Sequence, residues 1–288
     1  MANFVDLKNR AIVSSICILL VALMVYLSNN PIVQFLIFVV VAVLAIIGLW
    51  EYVQLLKIKQ IELPFWLLAA LAGLYIFTNY LAIFNSSWSV LIQVVIALFF
   101  FAVFLHNFFR VQGAIINIAA SFFGAFYIVV PLGLLLKILY PAMIPSQFSD
   151  GRIWLAYLLV VTKITDVGAY FAGKLWGRSK LAPHLSPGKT MIGATAGLLS
   201  AVILSLLFFI LSSFLPQDLF HLTIMQAIVL GALIGVFSQL GDLAESLLKR
   251  DADVKDSNKI PGIGGVLDLL DSLLFTIPII YLFLRTSV

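Results

Sequence analysis

Apolar residues in this chain come in unbroken runs of about 20, rather than in the alternating pattern of a half-buried strand. A run of that length crosses a bilayer as a helix. Nine such runs are read, at about 11–28, 31–52, 64–84, 88–106, 114–139, 153–173, 191–214, 223–245 and 265–284. Pro31, Pro64 and Pro216 fall near the edges of runs, where a missing N–H does least harm. A membrane barrel would need shorter segments of alternating character, and none is seen. The expected fold is an all-α polytopic membrane protein of about nine transmembrane helices.

Composition supports this class. The chain is 63% hydrophobic and 10% charged, with a mean hydropathy of +1.14, against roughly 45–50% apolar and about 25% charged in ordinary soluble domains. The first run follows Lys8 and Arg10 as in a signal peptide, but without a small-residue cleavage site, so it is read as a retained helix. A single cysteine, Cys17, rules out an intrachain disulfide and gives no metal-binding pattern.

The charges are distributed asymmetrically. Lys8, Arg10, Lys57, Lys59, Arg110, Lys174, Arg178, Lys180, Lys189, Lys249, Arg250, Lys255 and Lys259 fall on one side of the membrane in this nine-span reading. Only Arg152 and Arg285 fall on the other, while Lys137 and Lys163 lie within runs. By the positive-inside rule the N-terminus and both long basic loops are expected in the cytoplasm.

Two regions are expected. Residues 1–139 carry five runs with little charge, read as anchoring helices with contacts for self-pairing. Glu51, at the end of the second run, is read as a carboxylate reaching the membrane surface. Residues 140–288 are read as the catalytic region, with cytoplasmic loops at 174–190 and 246–264. No internal repeat is evident, which weakens a transporter reading based on duplicated halves.

The chemistry is concentrated between Ser238 and Ser272. Seven of the 13 acidic residues lie there: Asp242, Glu245, Asp251, Asp253, Asp256, Asp268 and Asp271. Asp242 and Glu245 share one helix face, as do Asp268 and Asp271, each pair three residues apart. Two helices meeting with carboxylates at one depth offer hard oxygen ligands of the kind magnesium takes, the rest of its shell being water and substrate phosphate. The turn Pro261–Gly265 between them suits close approach of an anion to backbone N–H groups. Lys249, Arg250, Lys255 and Lys259 add cations.

Upstream, Lys163 and Asp166 lie three apart within a run, and ionisable residues inside a membrane are functional candidates. Gly188-Lys189-Thr190 matches the end of a nucleotide-binding P-loop, but the first glycine of that motif would stand at Pro183, and no strand can be argued before it. Lys189 remains a candidate phosphate contact at a helix start.

These segments resemble the phosphatidate cytidylyltransferase, or CDP-diacylglycerol synthase, family. Its pattern S-x-x-K-R-x-x-x-x-K-D, then P-G-H-G-G and D-R-x-D, is matched at Ser246, Lys249, Arg250, Lys255, Asp256, Pro261, Gly262, Gly264, Gly265, Asp268 and Asp271. Asp166–Gly173 and Ser186–Thr190 resemble its D-x-G-A-Y-x-x-G and S-P-x-K-T segments. The chain departs from the family at Ile263 (usually His), at Leu269 (usually Arg), at Met191-Ile192 (usually Trp and an acid), and in a spacer one residue shorter after Asp256.

The resemblance implies transfer of CMP from CTP to phosphatidic acid, giving CDP-diacylglycerol and pyrophosphate in phospholipid biosynthesis. It implies Asp242, Asp268 and Asp271 as catalytic ligands of magnesium, with Lys249 and Arg250 also catalytic. Asp166, Lys189, Ser186, Ser246, Lys255, Asp256, Gly264 and Gly265 are the implied substrate-binding residues. The expected partners are CTP, phosphatidic acid, membrane lipids and a second copy of the chain, and nucleic acid is not among them. The expected location is the inner or cytoplasmic membrane, with the site facing the cytoplasm. A phosphomonoester nucleophile, with a second pKa near roughly 6, is already ionised and needs no general base. The alternatives are a CTP-dependent lipid kinase and, from another class, an ion- or proton-coupled transporter.

Overall fold

A computed structural model describes residues 4–109, 112–141, 148–254 and 265–286, and side chains from residue 15 onward. The described residues fold as a succession of helices with one small hairpin. The helices are α1 (Phe4–Tyr26), α2 (Pro31–Ile58), α3 (Phe65–Phe84), α4 (Ser89–Asn107), α5 (Ala114–Gly124), α6 (Val130–Leu139), α7 (Arg152–Trp176), α8 (Met191–Ser212), α9 (Ile224–Asp251) and α10 (Val266–Thr286). A π-helical stretch, Ala125–Val129, joins α5 to α6, so that Ala114–Leu139 makes one span. Each run read from the sequence coincides with a helix or with this composite. Eight spans among the described residues are long and apolar enough to cross a membrane, and the apolar part of α1, Ser15–Tyr26, is shorter. The all-α polytopic membrane fold is therefore the observed one.

Among the described residues, the element outside that expectation is an antiparallel pair, β1 (Lys180–Ala182) and β2 (Ser186–Thr190), with Lys180 opposite Thr190 and Ala182 opposite Ser186. A strand does precede Gly188-Lys189-Thr190, against the sequence reading. Pro183 still excludes the P-loop.

By its internal contacts the chain forms two units, residues 1–129 with 256–269, and residues 130–255 with 270–288. In the first unit, α2 and α3 pack through an aromatic ladder in which Phe38 stacks on Tyr80 at 4.9 Å. Tyr52 donates to the Ala120 carbonyl at 3.0 Å. Glu51 corrects the sequence reading. It does not reach the membrane surface but is completely buried, and its two oxygens accept the N–H groups of Val266 and Leu267 at 2.9 Å each. Those N–H groups open α10 and have no partner within the helix, so Glu51 is a cap.

The second unit shows why apolar sequence alone gives ordered packing. In α8 Gly193, Gly197, Ala201 and Ser205, spaced by four, are buried, with Ser212 at the helix end, while Leu199, Ile203, Leu207 and Ile210 are exposed. The helix turns its large side chains outward and its small ones inward. Lipid rewards apolar burial little, so close backbone approach supplies the packing. A Cβ on Gly197 would come within 2.8 Å of the Thr165 carbonyl on α7. Polar latches fix the register: Tyr157 and Ser205 share a hydrogen bond of 2.7 Å, Ser205 donates to the Ala227 carbonyl at 2.6 Å, and Thr162 meets Thr276 at 3.1 Å. This packing sets α7, α9 and α10 side by side.

Candidate active site

Three acids of the second unit converge on one hydroxyl. Ser272 Oγ, on α10, lies 2.6 Å from Asp242 Oδ1 on α9, 3.2 Å from Asp271 Oδ1 and 3.3 Å from Asp166 Oδ2 on α7. The approach of α9 to α10 depends on Gly241, where a Cβ would overlap the Asp271 carbonyl. Ser238, one helical turn before Asp242, donates to Asp166 Oδ1 at 3.2 Å. A hydroxyl carries one proton, so Ser272 satisfies one of its three carboxylate contacts. The other two set oxygen lone pairs against each other, an arrangement that favours a positive charge among them.

Two lysines supply part of that charge. Lys163 Nζ lies 3.5 Å from Asp166 Oδ2, and Lys189 Nζ lies 3.2 Å from Asp242 Oδ2. Among the described residues, these two ammonium groups against three carboxylates leave a negative excess. The donors are hard oxygens, two of them part-exposed, which fits a divalent cation that keeps water and phosphate as its remaining ligands. Among the described residues no three His, Cys, Asp or Glu side chains are already gathered at coordinating distance.

Asp166 and Asp242 also line a cavity of about 550 Å³, together with Gln239, Lys174, Lys180 and Lys189. That size is within the usual range of roughly 300–1,000 Å³ for small-molecule sites. The hairpin explains the lysines. It carries Lys180 on β1 and Ser186 and Lys189 on β2 to the cavity wall. Thr190 then caps α8, its hydroxyl accepting from the Gly193 N–H at 3.1 Å. Carboxylates and lysines in the wall of one cavity form a surface suited to a metal–polyphosphate.

Residues 8–287 match the family model described as the Cytidylyltransferase family. The chain belongs to this family. It is 33% identical to a phosphatidate cytidylyltransferase of Chlamydia pneumoniae, over 97% of this chain and 92% of that one. Identity is 30% to the phosphatidate cytidylyltransferase of Bacillus subtilis, over 97% and 98% of the two chains. It is 32% to that of Haemophilus influenzae, over 81% and 84%. Membership makes this chain a nucleotidyltransferase.

Within this cytidylyltransferase the residues expected from the sequence separate into groups. Asp166, Asp242, Asp271, Lys189 and Ser186 lie at the acid cluster or the cavity. Asp268 belongs to the first unit, where its Oδ2 accepts the Gly265 N–H at 2.7 Å in the first turn of α10. Lys249 pairs with Glu245 at 2.5 Å on a largely buried face of α9. Arg250 donates to the Leu185 carbonyl in the hairpin turn at 3.2 Å and to the Val254 carbonyl at 3.3 Å. Ser246, half-buried one residue after Glu245, is not part of the cavity wall. Lys255, Asp256 and Gly264 lie outside the described residues, as does Ile263.

The sequence reading missed Ser272, Ser238, Gln239, Lys174 and Lys180. Ser238 had a signal in its four-residue spacing from Asp242, and Lys174 and Lys180 in their place within the basic loop. Ser272 had none beyond adjacency to Asp271.

Proposed function

We infer that this cytidylyltransferase transfers CMP from CTP to phosphatidic acid, giving CDP-diacylglycerol and pyrophosphate. The observation that carries the reading is the cavity that joins Asp166 and Asp242 to Lys174, Lys180 and Lys189. A phosphate oxygen of the lipid attacks the α-phosphorus of CTP. The new P–O bond forms as the bond to the bridging oxygen breaks, and pyrophosphate leaves with that electron pair. No protein base is required, because the attacking phosphomonoester is already ionised.

What the protein must do is bring two polyanions together and spread the charge that develops on the leaving group. Lys174, Lys180 and Lys189 hold the triphosphate, and Lys189 stands ready beside Asp242. Magnesium would be held by Asp242 and Asp271, with Asp166 beside them and Ser272 fixing their spacing. When bound it would neutralise phosphate charge. Gln239, which donates to the Ala194 and Gly235 carbonyls at 3.1 and 2.9 Å, locks α9 to α8 and keeps the cavity wall in place.

The site faces the cytoplasm in this proposal, in the cytoplasmic membrane of a bacterium. The concentration of Lys and Arg at one set of span ends supports that orientation and a cytoplasmic N-terminus. The test is incubation of the purified protein with labelled CTP, phosphatidic acid and magnesium. Lipid-linked CMP with release of pyrophosphate is expected. Phospholipid plus CDP formed from diacylglycerol would overturn the reading in favour of a lipid kinase.

A further inference from the structure

The first unit contains a second cavity, of about 690 Å³, which shares no residue with the one described above. It is formed by the last turns of α2, the connection to α3 and the end of α4. Gln54, Lys57 and His106 line it, and their side chains make no hydrogen bond or ion pair among the described residues. No acid lines it. Gln54 and His106 are half-buried and Lys57 is exposed, so all three polar groups are open to a ligand that enters the cavity.

The position narrows the ligand's chemistry. α2 ends, α3 begins and α4 ends at this cavity, so it sits at one boundary of their membrane-crossing stretches. That boundary carries Lys57, Lys59 and Glu62, a net positive charge, whereas the opposite connections, Leu27–Asn30 and Asn85–Trp88, have no charged residue. Trp50 and Trp66 flank the cavity, with Trp66 83% exposed, as tryptophans do at headgroup depth. α3 starts here without a side-chain cap, adding backbone donors to the lysine, amide and imidazole. Leu63, Pro64 and Leu67 complete the wall with apolar surface. A cation with neutral donors above apolar surface suits a phosphodiester attached to two acyl chains.

We propose that this cavity binds the headgroup of an anionic phospholipid, held by Lys57, His106 and Gln54 between Trp50 and Trp66. The site is separate from the transfer reaction and does not depend on that assignment.

Native mass spectrometry of the delipidated full-length protein in detergent tests it, with phosphatidylglycerol, phosphatidylcholine and inorganic phosphate as probes. Wild-type protein should retain one phosphatidylglycerol with a preference over phosphatidylcholine of about fivefold, the attraction one lysine adds at a membrane surface. Lys57→Gln with His106→Gln should remove the preference, while Asp242→Asn should keep it. Excess inorganic phosphate should leave the lipid bound. Trp66→Ala, at an exposed position, should weaken retention with helicity unchanged. Equal retention of the two lipids by wild-type protein would overturn the proposal. So would a preference that survives the double variant but is lost in Asp242→Asn, or displacement of the lipid by phosphate alone.

Discussion

Glu51 in the first unit and the Asp166–Asp242–Asp271 group in the second are both acids embedded in apolar helices, and the protein treats them in opposite ways. Each Glu51 oxygen accepts one backbone N–H, and no part of the residue reaches solvent. Its charge is consumed in closing the start of α10. The three aspartates crowd around a single hydroxyl, with two lysines for three carboxylates, and two of them open onto a cavity. Their charge is only partly met by the described residues. Burial alone therefore does not mark a functional acid in a membrane; an unbalanced charge beside an accessible space does.

The sharpest way to break this comparison is to neutralise one acid in each place. Asp242→Asn keeps size and shape but removes charge from the cluster. Its kcat should fall by about a hundredfold or more, the usual cost of losing a charge-stabilising group, with the thermal unfolding midpoint close to wild type. A wild-type rate in that variant would remove Asp242 from the site. Glu51→Ala should do the reverse. It leaves two buried N–H groups without acceptors, at about 1–3 kcal/mol each, so the helical signal should be lost at lower temperature. Glu51→Gln should recover part of that loss, because its amide oxygen still accepts one N–H. Unchanged stability in Glu51→Ala would show that the cap is not needed.

The same contrast explains what the sequence revealed. The spans were legible because an apolar run of about 20 residues has few alternatives to a membrane helix, and the Asp242–Asp271 stretch stood out because charge is rare elsewhere. Glu51 was misread because its partners lie more than 200 positions away, in backbone N–H groups that no side-chain pattern announces. The hairpin was missed because Lys180–Ala182 and Ser186–Thr190 are short and contain Pro187 and Gly188, with little of the β-branched alternation that marks a strand. The grouping of Asp166 with Asp242 and Asp271 depends on packing. It needs the small stripe of α8 and the close approach at Gly241, and a list of motifs gives each acid without saying which ones meet.

Ser272 tests the middle of the effect range. Removing its hydroxyl in Ser272→Ala takes away the one donor that the three carboxylates share, while every acid stays in place. A group that orients metal ligands typically contributes about 10–100-fold. A loss near the lower end, roughly tenfold, is expected because α10 still positions Asp271. The distinguishing readout is the magnesium concentration for half-maximal rate, which should rise along with the loss in kcat. A drop in kcat with unchanged magnesium dependence would mean that Ser272 supports packing and not the spacing of the acids.

Arg250 should give the smallest effect and separates two accounts of one residue. The family pattern makes it a catalytic cation. In the structure its guanidinium instead donates to the Leu185 carbonyl at the hairpin turn and to Val254. The hairpin carries Lys180, Ser186 and Lys189. If Arg250 acts as this brace, Arg250→Ala loosens the lysine-bearing wall without touching the carboxylates. The KM for CTP should then rise severalfold while kcat stays within about twofold, the pattern of lost uniform binding. Arg250→Lys should not restore it, since an ammonium cannot reproduce the planar fork that spans two carbonyls. A large fall in kcat, rescued by lysine, would instead return Arg250 to the phosphates as a point charge and leave the hairpin held by β1–β2 pairing alone.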